Sequence, residues 1–217
     1  MGTKSVLALR LVCVALLIGV AFASAQEAKQ LELPEPQTDG GRPLMQVLKD
    51  RKSLRSYSSR ALPPQELSNL LWAACGVNRP DSGKRTAPTA RNMQQIDVYV
   101  ATAEGLYLFD AKAHALNLVL EKDIRAMTGT QSFVAEAPVN LVFVSDHARM
   151  GGSSQASKDF YSATDTGFIS QNVYLYCASE GLATVVRGLV DRPKLAKEMG
   201  LRANQKIILA QSVGYPR

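Results

Sequence analysis

The sequence predicts an α+β domain, a central and mainly antiparallel sheet flanked by helices. Three observations carry this. Two alternating apolar runs, IDVYVAT and GLYLFDA, meet at Glu104-Gly105 as the arms of a hairpin do. VNLVFVSD is a solid apolar run of strand length, which fits a strand covered on both faces. QELSNLLWAAC and DTGFISQNVYLYC instead repeat their apolar residues at helical spacing. Helices together with one largely antiparallel sheet make an α+β domain.

In chain order, residues 1–25 come first. MGTKSVLALRLVCVALLIGVAFASA has two cations, an apolar run from Leu11 to Phe22, and the small-x-small end Ala23-Ser24-Ala25. That is the pattern of a Sec signal peptide cleaved before Gln26. The alternative is an uncleaved membrane anchor, for which the apolar run is short. Export, to the periplasm in a cell with two membranes, is the localisation expected. Residues 26–42 are polar, rich in Pro and Gly and aperiodic, and read as a flexible lead-in. The domain is then residues 43–217.

PLMQVLKD spaces Leu44, Val47 and Leu48 as a short amphipathic helix. A second helix opens at Pro63-Pro64, with Glu66 near the positive end of its dipole, and closes at Gly76. Residues 78–95 read as a long polar loop holding Arg79, Lys84, Arg85 and Arg91. After the hairpin, HALNLVL continues as a third strand. KDIRAMTGTQSFVAEA starts helix-like and becomes a loop that Pro138 ends. Residues 149–160 are a Gly/Ser-rich loop, expected to be mobile, before the longest helix. VVRGLVDRPKLAKEMGL contains a loop and a short helix, and KIILAQSVGYP is the closing strand. There are no internal repeats.

Composition excludes several functions. Loss of Lys4 and Arg10 with the leader takes the net charge from +6 to +4, spread along the chain, so no nucleic-acid face is expected. His114 and His147 are the only histidines, and no Cys/His/Asp group has metal-ligand spacing, so no metal is expected. No G-x-S-x-G elbow supports a serine hydrolase. Cys13 leaves with the leader. Cys75 and Cys177 could pair in an oxidising compartment, but both sit in apolar helical segments, where buried free thiols are the plainer reading.

The stretch DRKSLRSYSSR, residues 50–60, has four cations and four serines. Arg51, Lys52 and Arg55 beside Ser53 and Ser56 can surround one phosphate, combining a planar fork of donors, a point charge and hydroxyls. A solvated basic turn complementing a helix end is the alternative. This stretch does not stand alone. RKSLRSY (51–57), PQELSNLLWAAC (64–75), RTAPTARNMQQIDVYV (85–100), SFVAEAPVNLVFV (132–144), the long segment 165–191 and VGYP (213–216) resemble, in order and at matching spacings, the nitroreductase family of flavoproteins.

That resemblance implies a nitroreductase-like fold and FMN as cofactor. By it, Arg51, Lys52 and Ser53 hold the phosphate and ribityl chain, joined by Arg55. Asn92 falls on the family asparagine and Gln94 follows it; amides can serve donor and acceptor on the ring edge or the ribityl hydroxyls. Pro88 and Thr89 would lie along the flavin edge, with Thr89 toward the substrate. Val186, Arg187 and Gly188 match the segment whose backbone lies near flavin N5. Each has a plainer alternative: a turn cap for Asn92, a helix exit for Arg187 and Gly188.

The implied activity is FMN-dependent oxidoreduction, with hydride transfer at N5 from NAD(P)H or an envelope electron donor to a small-molecule acceptor of nitro, quinone or enone type. Catalytic side chains are not required, because the cofactor does the chemistry. A homodimer with residues from both chains at the flavin is expected. Alternatives are an exported flavin-binding electron carrier, or another flavin chemistry such as azoline oxidation on the same scaffold. Two departures from the family pattern stand out: Arg91 occupies a position usually small or uncharged, and the chain ends at Arg217 without the extension many relatives carry.

Overall fold

The computed structural model describes residues 29–217, so the signal-peptide reading lies outside the described residues. One seven-stranded sheet dominates. Its strands are β1 (Gln30–Glu32), β4 (Ile96–Ala101), β5 (Leu106–Asp110), β6 (Ala115–Leu120), β7 (Val139–Asp146), β8 (Ala183–Arg187) and β9 (Gln205–Gly214), ordered β1-β6-β5-β4-β7-β9-β8. Every pairing in it is antiparallel. Four helices flank it: α1 (Leu44–Asp50), α2 (Pro64–Cys75), α3 (Gln155–Glu180) and α4 (Arg192–Glu198).

Successive strand residues face opposite sides, and this splits the core in two. Val98 and Val100 of β4, with Leu141 and Phe143 of β7, face α2 and α3 and meet Leu70, Leu71, Ile169 and Val173. Tyr99, Ala101, Val142 and Val144 face the other way and meet Leu195 of α4, Met199 and Ile207. All eight residues of β7 are buried, as VNLVFVSD predicts for a strand covered on both faces. Each fully buried Leu, Val or Phe here contributes about 1.5–3 kcal/mol to holding the layers together.

The structure differs from the sequence reading in five places. The lead-in is tied down in part: β1 pairs with β6, and Gln37 N donates to Asn69 Oδ1 of α2 at 2.8 Å. The supposed mobile loop stops at Ser154, whose hydroxyl accepts from Ser157 N and caps α3, a helix of 26 residues. QASKDFYSAT carries too few apolar residues for periodicity to show, so only the cap marks this start. Within the long polar loop, β2 (Val77–Arg79) and β3 (Lys84–Arg85) form a small hairpin. KDIRAMTGTQSFV makes only two short 3-10 turns, Arg125–Thr128 and Ser132–Val134. Residues 183–187, read as the end of the long helix and the start of a loop, are edge strand β8.

Gly76 ends α2 as expected. Its φ is ordinary, but a Cβ there would lie 2.5 Å from Trp72 Cδ1, so close packing demands the glycine. Cys75 and Cys177 are buried free thiols, and burial pushes Cys75 up to about 11 and Cys177 higher still. Among the described residues, no helix is long and apolar enough to cross a membrane, and no cluster of potential metal ligands occurs.

Candidate functional site

The basic turn leaves α1 and runs along the open edge of β8. Arg51 N still donates to Val47 O at 2.8 Å; three residues on, Leu54 N donates to Thr184 O of β8 at 2.9 Å, and Ser58 N to Tyr215 O at 2.9 Å. The segment therefore covers the Thr184 carbonyl, which edge strand β8 would otherwise expose.

Tyr174 of α3 fixes its geometry. Arg51 lies over the Tyr174 ring, 5.2 Å from its centroid. Ser53 Oγ is 2.8 Å from the Tyr174 hydroxyl, and Val186 N of β8 donates to that same hydroxyl at 3.0 Å. A phenol has one proton. With its oxygen accepting from Val186, the arrangement that leaves no buried O–H unpaired has Tyr174 donating to Ser53. The Ser53 proton is then free to point at a ligand. Sequence reading missed Tyr174, which is buried within an apolar helix face; a phenol in such a face is the signal, because its hydroxyl must find a partner.

Among the described residues, no carboxylate neutralises Arg51, Lys52 or Arg55, none of which enters an ion pair. The adjacent acid, Asp50, is bound to Arg42, whose hydrogen bond holds its carboxyl below the usual range. A cavity of about 600 Å³ opens here, lined by Arg51, Lys52, Tyr174, Thr184 and Pro216 among others. Arg51 and Lys52 line this cavity, while Ser53 and Arg55 are not among its lining residues.

Pro88, Thr89, Asn92 and Gln94 form a second group. Thr86 anchors the segment by donating from N to Gly76 O and from Oγ1 to Trp72 O. Arg91, Asn92 and Gln94 all have φ near +50°, an unusual run for side-chain-bearing residues. Asp165 of α3 holds it: one carboxylate oxygen accepts from Ala90 N at 3.2 Å and from Gln95 Nε2 at 2.7 Å. Gln94 N donates to Thr89 Oγ1, and Gln94 Nε2 to Asn92 Oδ1 and Gly83 O. Asn92 and Gln94 thus support each other at the wall of a cavity of about 890 Å³ that Arg85, Lys112 and Arg149 also line. Arg91 turns away to Ser153 Oγ at 2.6 Å. Asp165 is the second residue that sequence reading missed; a lone acid on an apolar helix face was its signal.

Arg187 and Gly188 form the third group, at the end of β8. The Arg187 side chain is buried, donating to Thr128 O at 2.6 Å and Asn140 Oδ1 at 2.8 Å, and burial lowers it to about 10. Its guanidinium is thus committed to the interior, so Arg187 presents backbone rather than side chain. Gly188 is exposed, with only Leu209 Cδ2 near the position of an added Cβ.

Tyr174 brings the basic turn and β8 together. The 88–94 group sits apart, at Asp165, nine residues earlier on α3, or about 14 Å at 1.5 Å per residue. One chain therefore presents a basic end and an amide-rich end joined by α3.

A family model described as the nitroreductase family matches residues 48–215. A protein of Methanocaldococcus jannaschii named "putative nitroreductase" is 32% identical over 155 residues, covering 67% of this chain and 78% of that protein. A crystal structure from Ralstonia eutropha under the same description is 46% identical, covers 87% of this chain and 90% of that chain, and superposes with a TM-score of 0.83. The NADPH:FMN oxidoreductase of Vibrio harveyi, complexed with NAD+, shares the fold at a TM-score of 0.59 and 19% identity, over 80% of this chain and 68% of that one.

Proposed function

The chain belongs to the nitroreductase family, and from that premise we propose that it is an FMN-dependent oxidoreductase carrying electrons from a reduced donor to a small organic acceptor of nitro, quinone or enone type. The observation that carries the cofactor reading is the basic turn: Arg51, Lys52 and Arg55 have no carboxylate partner among the described residues, and Ser53 Oγ lies 2.8 Å from the Tyr174 hydroxyl. FMN, when bound, supplies hydride chemistry at flavin N5.

The rest is the work of the chain. Arg51, Lys52, Arg55 and Ser53 bind the phosphate end. Asn92 and Gln94 offer amides to a polar ring edge or to hydroxyls, held in register by Asp165. The backbone of Val186, Arg187 and Gly188 lines the reacting side, and the buried Arg187 side chain fixes the end of that strand. NAD(P)H or an envelope electron donor reduces the protein, the envelope donor following from the Sec-type leader and periplasmic export. The chain works as a homodimer. Leu44, Met45 and Leu48 of α1 are 60%, 76% and 44% exposed, an apolar face that supports such a pairing.

The test is the visible spectrum of residues 26–217 after excess FMN is added and removed. Flavin bands should remain, and should vanish in Arg51→Ala/Arg55→Ala. A protein that never retains flavin overturns the reading. Steady-state turnover with NADH, NADPH and a reduced quinol identifies the donor, and robust NADPH turnover would count against the envelope donor.

A further inference from the structure

The cavity beside the 92–94 segment carries a charge that the reading above does not use. Among its lining residues there is no acid. Arg149, one of its three cations, is neutralised: it binds Asp97, lies 3.7 Å from Asp146 and donates to Gln94 O. Arg85 is not. Its side chain enters no ion pair and no hydrogen bond among the described residues, and its Nε is buried without a partner. The hairpin fixes it in place, pairing Arg85 with Val77, while the next residue, Thr86, is bonded to Gly76 and Trp72. Lys112, whose ammonium is likewise outside every ion pair among the described residues, stands on the same cavity.

A guanidinium stays charged at any physiological pH and presents its donors in a rigid fork. Leaving one half-buried and unpaired is costly, and a carboxylate or phosphate is the group that matches it. Asn92 and Gln94 bound the same cavity, so a ligand anchored at Arg85 would place its body against the residues assigned to the flavin edge.

We propose that this cavity takes the anionic group of the electron acceptor, so that the preferred acceptors are small organic molecules carrying a carboxylate or phosphate, with Arg85 as the specificity determinant and Lys112 in support. This rests on the oxidoreductase reading for the word acceptor, but not for the anion site itself.

Calorimetric binding of para-nitrobenzoate, para-nitrophenyl phosphate and neutral para-nitrobenzyl alcohol, with and without FMN, tests it. At least one of the two anions should bind on the order of tenfold tighter than the alcohol. Which of them does so tells carboxylate from phosphate. Arg85→Gln should erase the preference and leave the alcohol unchanged, while Arg85→Lys, which keeps the charge, should retain most of it. Equal binding of the alcohol and both anions, or a preference that survives Arg85→Gln, overturns the proposal. Failure to retain FMN sinks the oxidoreductase reading alone, since the anion preference is read without flavin as well.

Discussion

Tyr174 joins three things with one side chain: the Arg51 guanidinium over its ring, Ser53 at its hydroxyl and the Val186 amide. Tyr174→Phe keeps the ring and removes the hydroxyl. It should weaken FMN binding on the order of tenfold, the scale of a lost hydrogen bond to a charged group, while riboflavin, lacking the phosphate, loses little. Flavin fluorescence titration measures both, and equal losses would refute an ordering role at the phosphate end. His114 makes a different prediction. Ser68 donates to Pro34 O, so the His114 Nε2, 2.7 Å from Ser68 Oγ, is the donor to that hydroxyl. Burial lowers the His114 pKa, and burial also lowers that of His147. As pH falls through the ordinary histidine range, the unfolded chain takes up these protons before the folded one does. Stability should therefore decline on acidification and level off once the folded imidazoles are charged too. Urea midpoints between pH 8 and pH 5 should show this slope, and His114→Asn should flatten it.

At the scale of elements, α2 and α3 can be tested by paired substitutions. Gly76→Ala drives a methyl into Trp72 and should cost about 1–3 kcal/mol. Gly167→Ala, in the exposed middle of α3 with nothing within 4 Å of the added Cβ, should instead gain up to about 1 kcal/mol. Thermal unfolding of the two variants, shifting in opposite directions, would separate close packing from helix propensity. These elements also show what the sequence makes legible. β4, β5, β6, β7, β9 and the body of α2 announce themselves, because each has one or two buried faces and period follows burial. The first turns of α3 and the β2–β3 hairpin do not, since polar residues there answer to caps and side-chain bonds that periodicity cannot register. Within the site, the cations and amides could be picked out by type and spacing. Tyr174 and Asp165 showed only as polar groups on an apolar helix face, and their roles exist only once α3 lies beside the basic turn and the 88–95 segment.

At the scale of the whole molecule, the exposed Leu44, Met45 and Leu48 predict self-association. Light scattering should give the mass of two chains. Met45→Lys/Leu48→Lys should shift the protein toward monomer, and flavin retention should fall with it if both copies contribute to the site. A stable monomer that holds FMN as well as the parent would refute the shared site. The sheet has edge strands β1 and β8: β1 is a three-residue strand, and β8 is met by the basic turn through Leu54 N and Thr184 O. The residues proposed to hold the phosphate and the Leu54–Thr184 contact share one segment, so Arg51→Ala/Arg55→Ala should leave folding intact while Leu54→Pro, which removes the amide bonded to Thr184, should destabilise the β8 edge.

The position of β9 has a consequence in time. It is last in chain order, yet it lies between β7 and β8 and pairs with both. During synthesis β7 and β8 emerge first, with a strand-wide gap between them that only the final segment can fill. Partial chains cannot complete the sheet, because β8 pairs with no other strand and β7 lacks its second neighbour until β9 is present. Until then the facing edges of β7 and β8 keep their backbone groups unpaired, as any open sheet edge does.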